Sequence, residues 1–162
     1  MGIEAPPYPA ELLASAIALW EVQPQTQANL RRAVSTAYYA IFHLLIDEGC
    51  RNWARPEQRD RLSRMFEHRT MATASSRRAE EHKGAREGTP ESRLRTVAAT
   101  FRRLQEVRHI ADYDLTPTMS PAQVRVWISE VERAFDTWQL IRDEQIAHDY
   151  LFSLLFREKD RT

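Results

Sequence analysis

The stretch that decides the fold is Leu30–Leu45, "LRRAVSTAYYAIFHLL". Leu30, Val34, Ala37, Ile41 and Leu44 recur at alternating spacings of three and four, the period of an α-helix. Tyr38, Phe42 and Leu45 form a second stripe beside the first. A helix that is apolar on two faces packs against neighbours on both sides, so this segment belongs at the centre of a helical bundle. The helix is expected from about Thr26 to Glu48, with Gly49 as its stop.

Working outward, Leu12, Leu13, Ile17 and Trp20 mark a first helix from Pro9 to about Val22, closed by Pro24. Residues 56–81 are expected to form a third helical region that starts at Pro56 and carries Leu62, Met65 and Phe66. The segment "HKGAREGTPES" (82–92) reads as a loop and holds two of the four glycines. Thr89 and Pro90 then place a capping hydroxyl before proline at the first helical position, and Ser120–Pro121 repeats the signal. A fourth helix is expected from near residue 90 and a fifth from residue 121, whose inner face is Val124, Trp127, Val131, Phe135, Trp138 and Ile141. Ile146, Tyr150, Leu151, Leu154 and Leu155 resume the pattern, on that same helix or after a break, and they are expected to pack on the bundle or on a second chain.

These elements make an all-α chain, a four- to five-helix up-and-down bundle forming a single domain over 1–162. Its core is expected at about 9–140, with 141–162 as a C-terminal helical extension. With 43% hydrophobic residues, 162 residues can close one core. A lone cysteine, Cys50, allows no internal disulfide and no cysteine-based zinc site, and no other set of residues has metal-ligand spacing, so neither metal nor cofactor is expected. The longest apolar run, Ala37–Ile46, contains His43 and is too short to span a bilayer. The N-terminus lacks a secretory pattern. A cytoplasmic protein with no membrane partner is the expectation.

The net charge of zero conceals an asymmetry. Residues 1–50 carry two basic against five acidic side chains, residues 51–103 fourteen against seven, and residues 104–162 seven against eleven. A basic middle segment could meet phosphate, or could simply be a solvated helix face. Of the 23 basic residues, 21 are arginine, the residue suited to bidentate phosphate contacts.

The fourth helix carries the candidate chemistry. Its stripe Leu94, Val97, Phe101, Leu104 continues to Arg108 and Ala111, so a guanidinium falls where an apolar side chain is expected. Such a group requires a partner, a cleft or a subunit interface. Asp112, one turn on, is one available partner. The surrounding "VRHIADYDL" (107–115) adds His109 and Tyr113 as proton-transfer candidates, with Arg102 and Arg103 one to two turns earlier as candidate RNA contacts.

"LRRAVSTAYYAIFHLL" resembles the signature helix of the HEPN family, in which a Tyr-Tyr pair precedes Ala, an apolar residue, Phe and His. "RHIADYD" (108–114) resembles the Arg-x-x-Ala-Asp-Tyr element of one HEPN branch, and order and spacing agree over roughly residues 9–140. The resemblance implies a helical bundle, usually dimeric, working on RNA in prokaryotic toxin–antitoxin, phage-defence or RNA-processing systems. A small nucleotidyltransferase is a frequent partner. Active members cleave RNA without metal: a histidine helps move the 2′-hydroxyl proton and an arginine stabilises charge on the phosphate.

The motif that the resemblance implies is an arginine, a polar residue, three further residues and a histidine; carried onto this chain, the arginine is Arg108 and the polar second position is His109. Tyr113 stands where histidine is expected. A phenol of pKa about 10 is ionised to only roughly 0.1% at neutral pH, against an imidazole's pKa of about 6.5. Two readings therefore stand: an endoribonuclease using Arg108 with His109 or Tyr113, and a degenerate module that binds RNA, nucleotide or a nucleotidyltransferase without chemistry. A looser arginine-to-histidine spacing is met by Arg61–His68, Arg77–His82, Arg102 or Arg103–His109, and Arg142–His148, so it discriminates little.

Overall fold

Thr26 opens the central helix as a true cap: its Oγ1 accepts from the backbone N–H of Asn29 at 3.2 Å. The computed structural model describes residues 7–157. These are organised as α1 (Tyr8–Glu21), α2 (Gln27–Arg51), a 3-10 turn (Pro56–Gln58), α3 (Arg59–Ser63), α4 (His68–Glu81), α5 (Pro90–Tyr113), α6 (Pro121–Ile141) and α7 (Gln145–Ser153), with no strand among the described residues. Thr89 and Ser120 cap α5 and α6 as their sequence signals imply, accepting from Ser92 N at 3.2 Å and Gln123 N at 3.4 Å.

The α2 helix is the hub, packed against α1, α3, α5, α6 and α7. Both of its stripes are buried: Leu30, Val34, Ala37, Ile41 and Leu44 on one, Tyr38, Phe42 and Leu45 on the other. They join Leu94, Val97, Phe101 and Leu104 of α5 and Val124, Ile128, Val131 and Trp138 of α6 in one hydrophobic cluster.

Three expectations needed correction. Gly49 does not stop α2, which runs on to Arg51. A Cβ at Gly49 would lie 2.8 Å from Phe66 Cζ, so the glycine serves the close approach of that buried ring. Residues 56–81 are not one helical region, because the chain breaks after α3 and resumes at His68, letting Phe66 turn inward. Ile146–Leu155 does not continue α6. Ile146–Ser153 lies on a separate helix, α7, that folds back against α2, α4 and α5, with Tyr150 and, just past the helix end, Leu154 fully buried. The last five residues of the expected extension, 158–162, lie outside the described residues.

Polar contacts fix the ends of the bundle. Arg142, just past α6, reaches the carboxylate of buried Glu48 near the end of α2, with Nη2–Oε1 at 2.6 Å and Nε–Oε2 at 3.2 Å. This two-point geometry is the strong form of the ion pair. It also removes the Arg142 guanidinium from catalytic pairing with His148, whose Nε2 is hydrogen-bonded to the Arg142 carbonyl at 3.1 Å. Between α4 and α7, Ser75 Oγ and Tyr150 Oη share a buried hydrogen bond of 2.7 Å.

Candidate functional site on α5

The interruption of the α5 stripe finds its partners inside the same chain. Arg108 has a side chain only 12% exposed, with its guanidinium carbon 4.9 Å from the ring centre of Tyr38 and 5.9 Å from that of Tyr39. Its Nη1 lies 3.7 Å from Asp112 Oδ2, and Ser35 donates to the same oxygen at 3.3 Å. Two tyrosine faces and one carboxylate thus hold the charge that the apolar register leaves stranded. The arrangement is incomplete, since Arg108 Nε is buried without a hydrogen-bond partner among the described residues.

Behind Arg108 stands a histidine that sequence spacing did not single out. His68, the first residue of α4, stacks on Phe42 at 4.2 Å between ring centres. Its Nδ1 is 2.6 Å from Tyr38 Oη, and its carbonyl accepts from Gln105 Nε2 of α5 at 3.2 Å. Burial lowers the pKa of His68, and the positive charge of Arg108 pushes it further the same way. Burial raises the pKa of Tyr38, against the opposing pull of Arg108. Both groups are therefore held neutral at pH 7, and a single hydrogen bond joins Tyr38 Oη to His68 Nδ1. Tyr38, Tyr39, Phe42, His68 and Arg108 form one aromatic and cationic cluster joining α2, α4 and α5.

The other residues expected at the site separate. His109 is exposed and lines an open depression with Arg102, Gln105, Glu106, Arg108 and Ile110. Arg102 is held there by Glu106 at 3.0 Å and Gln105 at 3.3 Å. Arg103 points instead to α6, where Glu130 takes its Nη1 at 2.9 Å. Tyr113, the last residue of α5, is 69% exposed, with its ring 5.1 Å from that of His109. The depression thus gathers Arg102, Arg108 and His109, whereas Arg103 and Tyr113 are not among its lining. His43 is half-buried beside Tyr8 with ring centres 5.1 Å apart, and its pKa is lowered by burial, with Asp47 opposing.

Arg31 is a second residue whose role the sequence concealed. From α2 its Nη1 reaches the carbonyls of Ile110 at 3.3 Å, Ala111 at 3.1 Å and Asp114 at 2.7 Å, while Nη2 reaches that of Pro117. These acceptors lie at and just beyond the C-terminus of α5, where the last carbonyls run out of helical partners, although Ile110 O also accepts from Asp114 N at 3.0 Å, and where the helix dipole favours a cation. Gln27 extends the clamp, donating to Met119 O at 2.9 Å and accepting from Met119 N at 2.8 Å. The position of the Arg108–Tyr113 turn is thereby set by the first two turns of α2.

Among the described residues, no three His, Cys, Asp or Glu side chains are grouped so as to hold a metal ion, and no helix is long and apolar enough to cross a membrane. In comparisons with known proteins, the chain matches no family model, no curated protein and no solved structure.

Proposed function

We propose that this chain is a HEPN-like, RNA-directed protein of a prokaryotic toxin–antitoxin or phage-defence system, acting as a metal-independent endoribonuclease. The observation that supports this reading is the α5 depression, where two arginines, Arg102 and Arg108, and one histidine, His109, line a single concave surface. Arginine matches the charge that gathers on phosphate during attack by a 2′-hydroxyl, and a solvent-accessible imidazole can move the proton. A homodimer that brings two such depressions together would supply both halves of the proton transfer, and a minimal nucleotidyltransferase is the partner the resemblance implies.

A second reading is favoured by the burial of Arg108 and its pairing with Asp112. In it the site binds RNA, nucleotide or a partner nucleotidyltransferase without chemistry. The test is cleavage of a broad RNA panel in the presence of a chelator, with binding measured in parallel, for the wild type, Arg108→Ala and His109→Ala. The nuclease reading expects chelator-resistant cleavage that falls at least about 100-fold in either variant. Binding that depends on Arg108 but yields no cleavage moves the conclusion to the second reading. If the wild type neither binds nor cleaves RNA, the RNA-directed reading is wrong.

A further inference from the structure

Tyr38 touches both a titratable ring and a fixed cation. Its own ring is fully buried on α2, tilted against Phe42 at 5.8 Å and Phe101 at 5.7 Å between ring centres. Its hydroxyl lies 2.6 Å from His68 Nδ1, and its ring centre lies 4.9 Å from the Arg108 guanidinium carbon. One packed side chain thus joins the first residue of α4 to an arginine that lines the α5 depression.

The two groups differ in how firmly they are held. The His68 ring is stacked on Phe42 at 4.2 Å with the planes 15° apart, and Tyr39 meets it edge-on at 6.0 Å. Its backbone carbonyl takes a hydrogen bond from Gln105. Arg108 is a long side chain beside an open depression, held by two tyrosine faces and a 3.7 Å approach to Asp112, with no partner for Nε among the described residues. A guanidinium is charged throughout the range in which an imidazole titrates.

The surroundings of the His68 ring leave a proton there uncompensated. From α5 it faces Arg108, and from α2 it faces Tyr38, Tyr39 and His43, so these groups bring aromatic rings and positive charge to it. Burial and Arg108 both lower its pKa accordingly. On its own helix end the flanking charges, Glu67 and Arg69, are exposed, and Glu67 is paired with Arg157 at 3.3 Å. Asp112, the carboxylate on the far side, belongs to the guanidinium.

When His68 takes a proton, two cations share one aromatic cluster. The stacked ring cannot leave without opening the junction of α4 with α2 and α5, whereas Arg108 reaches solvent by turning its own side chain. We propose that His68 is a positioning residue for Arg108: when neutral it leaves the guanidinium seated on Tyr38 and Tyr39, and when protonated it turns the guanidinium out into the α5 depression. By linkage, an anion that draws Arg108 outward strengthens the hold of His68 on its proton. An acid-dependent affinity for RNA follows, and that consequence rests on the RNA-directed reading of the depression; the coupling of the two side chains does not.

Nuclear magnetic resonance of the isotopically labelled full chain, titrated from about pH 8 to about pH 5, reads both groups at once. The His68 ring signals and the Arg108 Nε–H signal are expected to move with one shared midpoint in the wild type. The same midpoint is expected in His109→Gln, which excludes the exposed neighbouring histidine as the cause. In His68→Gln the Arg108 signal is expected to lose that midpoint. In Arg108→Met the His68 midpoint is expected to rise by at least about half a pH unit, roughly a threefold gain in proton affinity. Each of these two variants reads the coupling from one side, so loss of the fold in one leaves the other to decide. An Arg108 signal that stays fixed while His68 titrates, one that keeps its midpoint in His68→Gln, or a His68 midpoint unmoved by Arg108→Met overturns the proposal. RNA binding over the same pH range tests the consequence, with tightening on acidification expected to be at least about threefold greater in the wild type than in His68→Gln. Equal tightening in the two overturns the proposed positioning, whereas no RNA binding at any pH removes the RNA-directed reading and leaves the coupling to be judged on the spectra.

Discussion

Replacing Arg108 by methionine separates stability from function at the α5 site. The substitution removes the cation from the tyrosine faces 4.9 and 5.9 Å away, a loss of about 2 kcal/mol for a largely desolvated contact. It also removes the one-turn pair with Asp112, worth about 0.5 kcal/mol. Against these losses, the unpartnered Nε disappears from the interior, relieving about 1–2 kcal/mol of uncompensated desolvation. A flexible thioether meanwhile refills the space of the arginine stem.

The terms largely cancel, so Arg108→Met is expected to lie about 1 kcal/mol below the wild type, a shift of at most about 4 °C in Tm for a chain of this length. Arg108→Ala makes the same polar changes but also deletes the packed stem, whose methylenes contribute about 0.8 kcal/mol each when buried, and is expected about 2 kcal/mol below the methionine variant. Urea denaturation of the three proteins gives these differences directly. If methionine proves as destabilising as alanine, or costs more than about 3 kcal/mol, the charge is holding the bundle together and the account of Arg108 as a tolerated guest in an apolar stripe is wrong.

Acid stability should follow the two histidines. Because His68 and His43 have pKa values lowered in the fold, the unfolded chain takes up protons that the folded chain refuses as pH falls below about 6.5. Stability should therefore drop between pH 7 and pH 5, and less steeply in His68→Gln; equal slopes in melting series across that range would contradict the placement of His68 beside Arg108. Asp47, whose pKa is raised by burial, acts in the opposite sense and nearer the carboxylate range. Arg31→Ala leaves carbonyls at the end of α5 without their donor and should cost about 1–2 kcal/mol. Hydrogen exchange would localise that effect, since the amides of residues 110–114 should lose protection while those at the start of α5 keep theirs. Tyr150→Phe strips the buried Ser75 hydroxyl of its partner and should lower stability by about 1–2 kcal/mol in denaturant titrations, a loss that a Ser75→Ala/Tyr150→Phe double variant partly restores.

Much of this molecule is local physics, and that part could be read from residue order alone. The two stripes of α2, the capping signals of Thr89 and Ser120, and the arginine displaced into the α5 stripe depend on helical period and on residues within a few positions of one another. Where a distant residue decides the outcome, the sequence carried no sign of it. Gly49 looked like a helix stop because glycine usually ends helices, yet the approach of Phe66, seventeen positions on, gives it another purpose. The break before α7 follows from the fit of Tyr150 and Leu154 into the bundle, a matter of packing that periodicity does not encode.

The candidate site divides in the same way. Helical register put Arg102 and His109 on one side of α5 and flagged Arg108 as misplaced, while only the folded chain showed that Tyr38 and Tyr39 of α2 receive its charge. His68 stands thirty residues from Tyr38 and belongs to another helix, so no spacing rule could bring it to Tyr38 and Arg108. Arg31 reads as one more surface cation until α2 and α5 dock and the open carbonyls of α5 come within its reach. The sequence by itself determined which helices form and which residue would be out of place in them, because those depend on local free energies; tertiary structure decided what meets that residue, because a buried charge takes its partners from whichever helices pack around it.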